Sequence, residues 1–340
     1  MQDSRPFVAD RKMTAKEQTL KTLEECRGKT VSGEKLAADI GVSRAAVWKA
    51  VESLRKEGHI IAATTNKGYI LSEGSDILSE QGIVPFLSKE AFLRVDGNIF
   101  VYKLLESTNQ TAKQNAFEGS PAGTVILAEE QSKGKGRLGR PFYSPAKQGL
   151  YMSLIIRPDF GSRKSLLITT AASVAVCRAV KNIYGLETQI KWVNDIFFEG
   201  RKVCGILTEA TTHFESGQFD AVVVGIGINC NWKAESIPED IRGTAGALPG
   251  KISRNRLAAE VINEFFEIAG SINVGPYPVF MDEYRRRSMV LRKDIKILDN
   301  TTGEFNDAKA IDVSDEGGLI VIHPDGRKET LTSGEITIRL

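Results

Sequence analysis

The order of helix and turn signals between residues 14 and 71 constrains this chain more than any other feature. Thr14 with Glu17 three residues on is a capping box, in which hydroxyl and carboxylate each satisfy a free backbone donor. Leu20, Leu23 and Cys26 then mark one face of a first helix. Ser32 caps a short second helix with Leu36, Ala37 and Ile40 inward, and Gly41-Val42 makes a tight turn. Ser43 caps a third helix that runs to about Glu57. Its Val47, Ala50, Val51 and Leu54 recur at the spacing of a single buried face. Gly58 ends it, and two β-prone runs, 59–65 and 68–71, flank the hairpin turn Asn66-Lys67-Gly68. Helix, helix, tight turn, helix, hairpin is the order of a winged helix-turn-helix, which we assign to residues 1–75.

The outward face of the third helix predicts DNA binding. Ser43, Arg44, Trp48 and Lys49 lie there, and Lys67 sits at the hairpin tip within reach of a phosphate backbone. The alternative is a small helical unit used for protein contacts. Net charge over the whole chain is only +2, and residues 1–75 hold 13 Lys and Arg against 10 Asp and Glu. Affinity for nucleic acid must therefore come from this local patch, and a dimer on a two-fold operator is the expected binding form.

With 340 residues, 41% of them hydrophobic, the chain has material for two or three cores. The apolar stretch 166–180 is interrupted by Thr169, Thr170, Ser173 and Arg178 and is shorter than the ~20 residues that span a bilayer. The first residues lack the apolar centre of a signal peptide. A cytoplasmic protein with no membrane partner is expected. Cys26, Cys177, Cys204 and Cys230 lie far apart with no CxxC pair, which predicts reduced, mostly buried thiols and no metal site.

Residues 76–98 are read as a linker, with Ser72-Glu73-Gly74-Ser75 as its flexible point. Beyond it, β-prone runs recur at 99–105, 124–131, 150–157, 188–192, 203–209 and 221–228, with helical stretches at 164–184 and 254–269 and a last helix near 279–288. This predicts an α+β domain over 99–288 with an antiparallel or mixed sheet. Residues 289–340 carry only strands and turns, at Asp299-Asn300, Glu316-Gly317-Gly318, Pro324-Asp325-Gly326 and Ser333-Gly334, and predict a small β-barrel.

The most informative segment for chemistry is 131–140. Residues 132–140 hold three glycines, four cations (Lys133, Lys135, Arg137, Arg140) and no acid. Glycines let backbone N–H groups approach a ligand, and the cations suit a phosphate or carboxylate. Gly134-x-Gly136-x-x-Gly139 matches a dinucleotide fingerprint in form only. Pro141, Pro145 and Gly149 follow where that motif must open a helix. Taken alone, the loop could be a solvated basic surface.

Three further segments accompany it: Ser107-Thr108-Asn109 after a strand, Lys191-Trp192-Val193-Asn194-Asp195 between strand-like runs, and the pair Gly205-Ile206-Leu207-Thr208-Glu209 and Gly225-Ile226-Gly227-Ile228-Asn229. In this order, behind a helix-turn-helix, they resemble biotin protein ligases, specifically the bifunctional kind that also represses the biotin operon. The resemblance covers nearly the whole chain. It implies an N-terminal winged helix-turn-helix, a central mixed-sheet catalytic domain of the class II synthetase and biotin ligase kind, and a C-terminal SH3-like β-barrel. It also implies a two-step reaction. Biotin and ATP, with Mg2+, give biotinyl-5′-AMP and pyrophosphate, and the acyl group then passes to a lysine of a biotin carboxyl carrier protein. In the corepressor forms, the adenylate-loaded protein is a homodimer on operator DNA.

Carried onto this sequence, the resemblance makes Lys191 and Arg137 catalytic, their positive charge offsetting that of two anions that must meet. Ser107, Thr108, Asn109, Gln131, Lys135, Gly136, Arg137 and Lys191 would bind biotin, and Lys135, Arg140, Phe142, Asn194 and Asn229 the nucleotide, with Asp195 and Gly205 as further candidates. Three positions depart from the family pattern. Lys135 stands where Arg is common and loses the bidentate fork, Phe142 replaces a loop tryptophan, and Val193 stands where proline is usual. A lipoate or octanoate ligase shares this chemistry, and a non-enzymatic biotin-sensing repressor shares the architecture. Absent the ordered set, Ser107 to Asn109 would read as a helix cap, Asn194-Asp195 as a turn, and Gly225 and Gly227 as a β-bulge.

Overall fold

The computed structural model describes residues 13–64, 67–158, 165–212, 219–233, 237–272, 278–298, 303–334 and 336–338. The chain separates into two compact units. One holds residues up to Leu87 with Ser253–Ala259, and the other holds Ser88–Ile252 with Glu260–Leu340.

In the first unit, helices α1 (Ala15–Glu25), α2 (Gly33–Ile40) and α3 (Arg44–Lys56) precede strands β1 (Ile61–Thr64) and β2 (Gly68–Leu71). The expected caps are present. Thr14 and Glu17 form the reciprocal capping box, Ser32 accepts from Glu34 and Lys35, and Ser43 accepts from Ala46. Gly41 closes α2 at φ +73°, a left-handed conformation suited to glycine. Leu20, Leu23, Leu36, Val47, Val51, Leu54, Ile61 and Leu71 form one core. β1 and β2 pair antiparallel from Ile61–Leu71 to Thr64–Gly68. Of the anticipated hairpin turn, Asn66 lies outside the described residues.

The linker region is more structured than its polar start predicts, with α4 (Glu80–Ile83), a 3-10 turn at Val84–Phe86 and α5 (Lys89–Val95). Its beginning is clamped at the start of a distant helix. Arg254, fully buried, donates from Nε and its backbone N–H to the Asp76 carboxylate, while Asn255 bonds Ser79 and Ile77. Such a clamp joins residues 178 positions apart, which local patterns do not reveal.

The second unit contains β3 (Ile99–Tyr102), α6 (Thr108–Phe117), β4 (Val125–Ala128), β5 (Gly149–Ile156), α7 (Ser165–Tyr184), β6 (Gln189–Lys191), β7 (Asp195–Phe198), β8 (Arg201–Thr212) and β9 (Phe219–Asn229). These strands form one seven-stranded sheet in the order β3-β4-β5-β9-β8-β7-β6, with β3 parallel to β4 and the other pairs antiparallel. It is the mixed sheet expected. β7 is not among the β-prone runs read from the sequence; it forms because Trp192 to Asn194 make a three-residue connection that returns the chain antiparallel along β6.

Helix α6 lays Ala112 and Ala116 against Ile126, Ile155, Ala221 and Val223 on one sheet face. Helix α7 covers the opposite face, where Thr169 donates to Thr208. By length and apolar content α7 could cross a membrane, but 72% of its apolar window is buried inside the molecule, as in a core helix. Helices α8 (Arg254–Ser271) and α9 (Phe280–Arg287) follow.

The last strands, β10 (Asp294–Leu298), β11 (Phe305–Val313), β12 (Leu319–Ile322), β13 (Lys328–Leu331) and β14 (Ile336–Ile338), make a five-stranded antiparallel sheet in the order β13-β12-β11-β10-β14. The anticipated barrel is here an unclosed sheet: β13 and β14 are its two edges and do not pair with each other among the described residues. The turn expected at Asp299-Asn300 lies outside those residues. The other three turns connect β11 to β12, β12 to β13, and β13 to β14. Cys177, Cys204 and Cys230 are buried free thiols, and Cys26 is half-buried. Burial pushes the Cys177 thiol up to about 11.

Candidate functional site

Strand pairing builds the floor of a cavity. Ala128, Tyr151, Gly227, Gly205, Asp195 and Lys191 are successive register partners across β4, β5, β9, β8, β7 and β6, and so share one sheet face. Ser153, Gly225 and Leu207 form the adjoining row on the same face. Glycine is required where the rows must stay low. A Cβ on Gly227 would come within 2.5 Å of the Phe142 ring, and one on Gly225 within 2.0 Å of Asn109 Oδ1. The cavity holds about 190 Å3 and is lined by side chains from the cationic loop, α6, the β6–β7 connection and the C-terminal sheet.

The loop enters as a tight hairpin. Phe142 N–H donates to Gly134 O at 2.8 Å and Gly136 N–H to Arg140 O at 2.7 Å, around a 3-10 turn at Arg137–Gly139. Lys135, Gly136, Arg137, Arg140 and Phe142 all line the cavity. The Arg137 guanidinium donates to Asn194 Oδ1 at 3.2 Å and to the Gly334 carbonyl at 3.1 Å, tying the loop to the β6–β7 connection and to the C-terminal sheet. Phe142 lies on the floor above Gly227 with its ring T-shaped to Tyr151. Lys133 points elsewhere and pairs with Glu106 at 2.8 Å.

Ser107, Thr108 and Asn109 open α6, and all three are buried at the cavity wall. Ser107 occupies the N-cap position, yet its hydroxyl makes no capping bond. Gln131 Oε1 accepts from the Thr108 N–H at 2.8 Å and its hydroxyl at 3.1 Å, while Gln131 Nε2 donates to Ser144. The Asn109 amide donates to Leu207 O and to Glu209, and its oxygen accepts from Ser153 at 2.7 Å. Asn109 and Gln131 thus hold the wall in shape as well as lining it. Burial would raise the Glu209 carboxyl, but the hydrogen bonds from Lys113 and Asn109 outweigh it and hold the group below its ordinary value.

The connection that follows Lys191 is anchored from several sides. Trp192 Nε1 donates to Gly317 O at 2.9 Å, the Tyr284 hydroxyl donates to Val193 O at 3.1 Å, and Asn194 donates to Ile206 O at 2.7 Å. The Trp192–Val193 peptide is cis. This framework sets half-buried Lys191 at the cavity edge, on the same face as Gly205 and Gly227. Asn194, Asp195 and Gly205 also line the cavity. Asn229 is not among the lining residues: it is buried at the end of β9 and donates to Gly246 O.

Lys202 was not singled out in the sequence, yet it lines the cavity, with Nζ 2.7 Å from Asp195 Oδ1, an ion pair whose geometry falls short of a hydrogen bond. Leu138, Gly334 and Ile336 are lining residues of the same unforeseen kind. No periodic signal points to a turn from a distant sheet.

In the first unit, Ser43, Arg44, Trp48 and Lys49 are exposed along the start and outer face of α3, and Lys67 is exposed beside the hairpin turn. Trp48 keeps 55% of its surface exposed, unusual for so large an apolar side chain and consistent with a contact face.

Comparison with known proteins extends this picture. Residues 101–229 match the biotin/lipoate A/B protein ligase family, and residues 16–70 match a helix-turn-helix domain. The bifunctional ligase/repressor BirA of Bacillus subtilis is 36% identical over 235 residues, covering 69% of this chain and 71% of its own. That of Escherichia coli is 27% identical over 317 residues, covering 92% and 94%. The biotin protein ligase from Aquifex aeolicus in complex with biotin and ATP superposes with a TM-score of 0.61 at 27% identity, over 71% of this chain and 98% of that one. The chain belongs to the family of bifunctional biotin ligase/repressors.

Proposed function

We propose that the second unit activates biotin with ATP and transfers it to a lysine of a biotin carboxyl carrier protein. The observation that carries this reading is the convergence of Lys191, Arg137, Lys135 and Arg140 with the Ser107–Gln131 polar wall on one cavity. In the first step a biotin carboxylate oxygen attacks the α-phosphorus of ATP, the bond to the β-phosphate oxygen breaks, and pyrophosphate leaves. Two anions must meet, and the four cations lower that barrier by offsetting charge in a partly enclosed site. Ser107, Thr108, Asn109 and Gln131 would fix the biotin ring through its polar ureido edge. Phe142 offers a π face to the adenine. Asn229, set behind the wall, would act by ordering the strand end instead of by direct contact. In the second step the carrier amine attacks the acyl carbon, loses a proton, and AMP leaves.

Asp195 is the carboxylate among the lining residues, and it is paired with Lys202. Among the described residues no group of three or more metal-binding side chains occurs. The site therefore fits Mg2+ carried in on the nucleotide's phosphates, not held in a protein cage.

The same reading assigns residues 1–75 to operator recognition, 76–98 to a connector, 99–288 to catalysis and 289–340 to an SH3-like barrel topology. It takes the protein to be cytoplasmic, with no membrane partner. With biotinyl-5′-AMP bound, the chain dimerises and represses biotin genes. Pyrophosphate release tests the catalytic half. It should depend on biotin and not on lipoate, and Lys191→Ala should reduce it by at least 100-fold, as removal of one transition-state donor does. Release driven equally by lipoate would favour the lipoate ligase alternative, and a Lys191→Ala protein as fast as wild type would remove the assigned mechanism.

A further inference from the structure

Strand β8 contains a bulge that changes which side chain faces the cavity. Asp195 pairs with Gly205 and Ile196 with Cys204, but Phe197 pairs with Lys202, leaving Val203 as the extra residue. In a regular strand Lys202, three residues from Gly205, would lie on the opposite face, toward α7. The bulge resets the alternation, as bulges commonly do beside functional sites. Val203 becomes buried, and Lys202 returns to the cavity face, lining it together with Lys191, Arg137 and Gly205. Gly205 leaves room for its stem: a Cβ there would meet Lys202 Cε at 3.4 Å. Asp195, the register partner of Lys191, holds the Lys202 ammonium at 2.7 Å.

Resting on the ligase reading, we propose that Lys202 is a catalytic residue of adenylate formation, its ammonium gripping the phosphates of ATP while Asp195 holds it at the cavity wall. The purely structural alternative is an ion pair that pins β7 to β8. A half-buried pair of this sort can pin two strands, but pinning alone does not require the cation to face the floor of a cationic site beside Lys191 and Arg137. A pyrophosphate leaving group needs charge compensation that biotinyl transfer from a finished adenylate does not, and the two half-reactions should therefore respond differently.

The test compares wild type, Lys202→Met and Lys202→Arg as full-length proteins. Three measurements are made: steady-state pyrophosphate release, biotin transfer to carrier from supplied biotinyl-5′-AMP, and equilibrium binding of a non-hydrolysable ATP analogue. Lys202→Met should weaken analogue binding and lower kcat/KM for ATP by roughly 10- to 100-fold, the loss expected for one charge-assisted hydrogen bond. Transfer from the supplied adenylate should stay within about 3-fold, and Lys202→Arg should recover part of the ATP dependence. Equal analogue binding by wild type and Lys202→Met overturns the proposal, as does a parallel fall in both half-reactions with a lowered unfolding midpoint, which marks a structural role. If wild type releases no pyrophosphate with biotin, the ligase reading fails by itself, since analogue binding still reports on Lys202.

Discussion

At the scale of single residues, the site depends on side chains that are missing as much as on those present. Gly225 stands where any Cβ would come within 2.0 Å of Asn109 Oδ1, and Asn109 joins Leu207, Glu209 and Ser153. Gly225→Ala should therefore push Asn109 out of its network. Overpacking of this kind costs about 1–3 kcal/mol, and broken bonds to buried partners add to it. Calorimetry should show a lowered unfolding midpoint, and biotin titration a larger loss of affinity than ATP titration. Equal loss for both ligands would argue against a biotin-side role for Asn109. Ser107, Thr108, Asn109 and Gln131 were legible as a polar set in the sequence. Their division of labour was not, because whether an amide holds a wall or meets a ligand depends on partners about 100 residues away.

At the scale of elements, the short local patterns are the ones the sequence conveys well. Thr14, Ser32 and Ser43 cap the helices they were expected to cap, since capping is settled within one helical turn. His59, just after α3, adds a pH dependence to that unit. Its ring is buried with Nδ1 lacking a partner among the described residues, and burial pushes its pKa down from 6.5 to about 4. The folded value lies below the unfolded one, so the unfolded chain takes up the proton first as pH falls. Stability that is complete above about pH 6.5 should be lost between pH 6.5 and 4, by about 3 kcal/mol at most. Amide protection factors of α1 and α3 in the full-length protein, taken relative to the intrinsic exchange rate at each pH, should fall as pH drops through that window, and His59→Gln should flatten the response. An unchanged profile in the variant would assign the acid sensitivity to other groups. The β8 bulge was not legible, because one extra residue in a strand leaves composition and hydropathy unaltered.

At the scale of the whole molecule, the proposed repressor function makes a prediction about linkage. Adding biotin with ATP should tighten binding to a two-fold operator by 10-fold or more, a coupling well within the range of allosteric effects. Affinity should fall steeply as salt rises, because the surplus of cations on the winged helix acts through phosphate contacts. Fluorescence anisotropy on operator DNA at several salt concentrations measures both. Equal affinity with and without ligand would remove the corepressor role and leave catalysis standing.

The amino-acid sequence by itself determined the helix-turn-helix order and the cationic glycine loop, because these rest on interactions between near neighbours along the chain, whereas the role proposed for Lys191 came from the ordered set of motifs and its family resemblance. Only the tertiary structure decided that Gly205, Gly227, Asp195 and Lys191 share one floor, that Arg137 reaches the Gly334 carbonyl, and that Lys202 faces inward. The face a strand residue presents is fixed by its register with strands far away in the chain, and a single bulge reverses it.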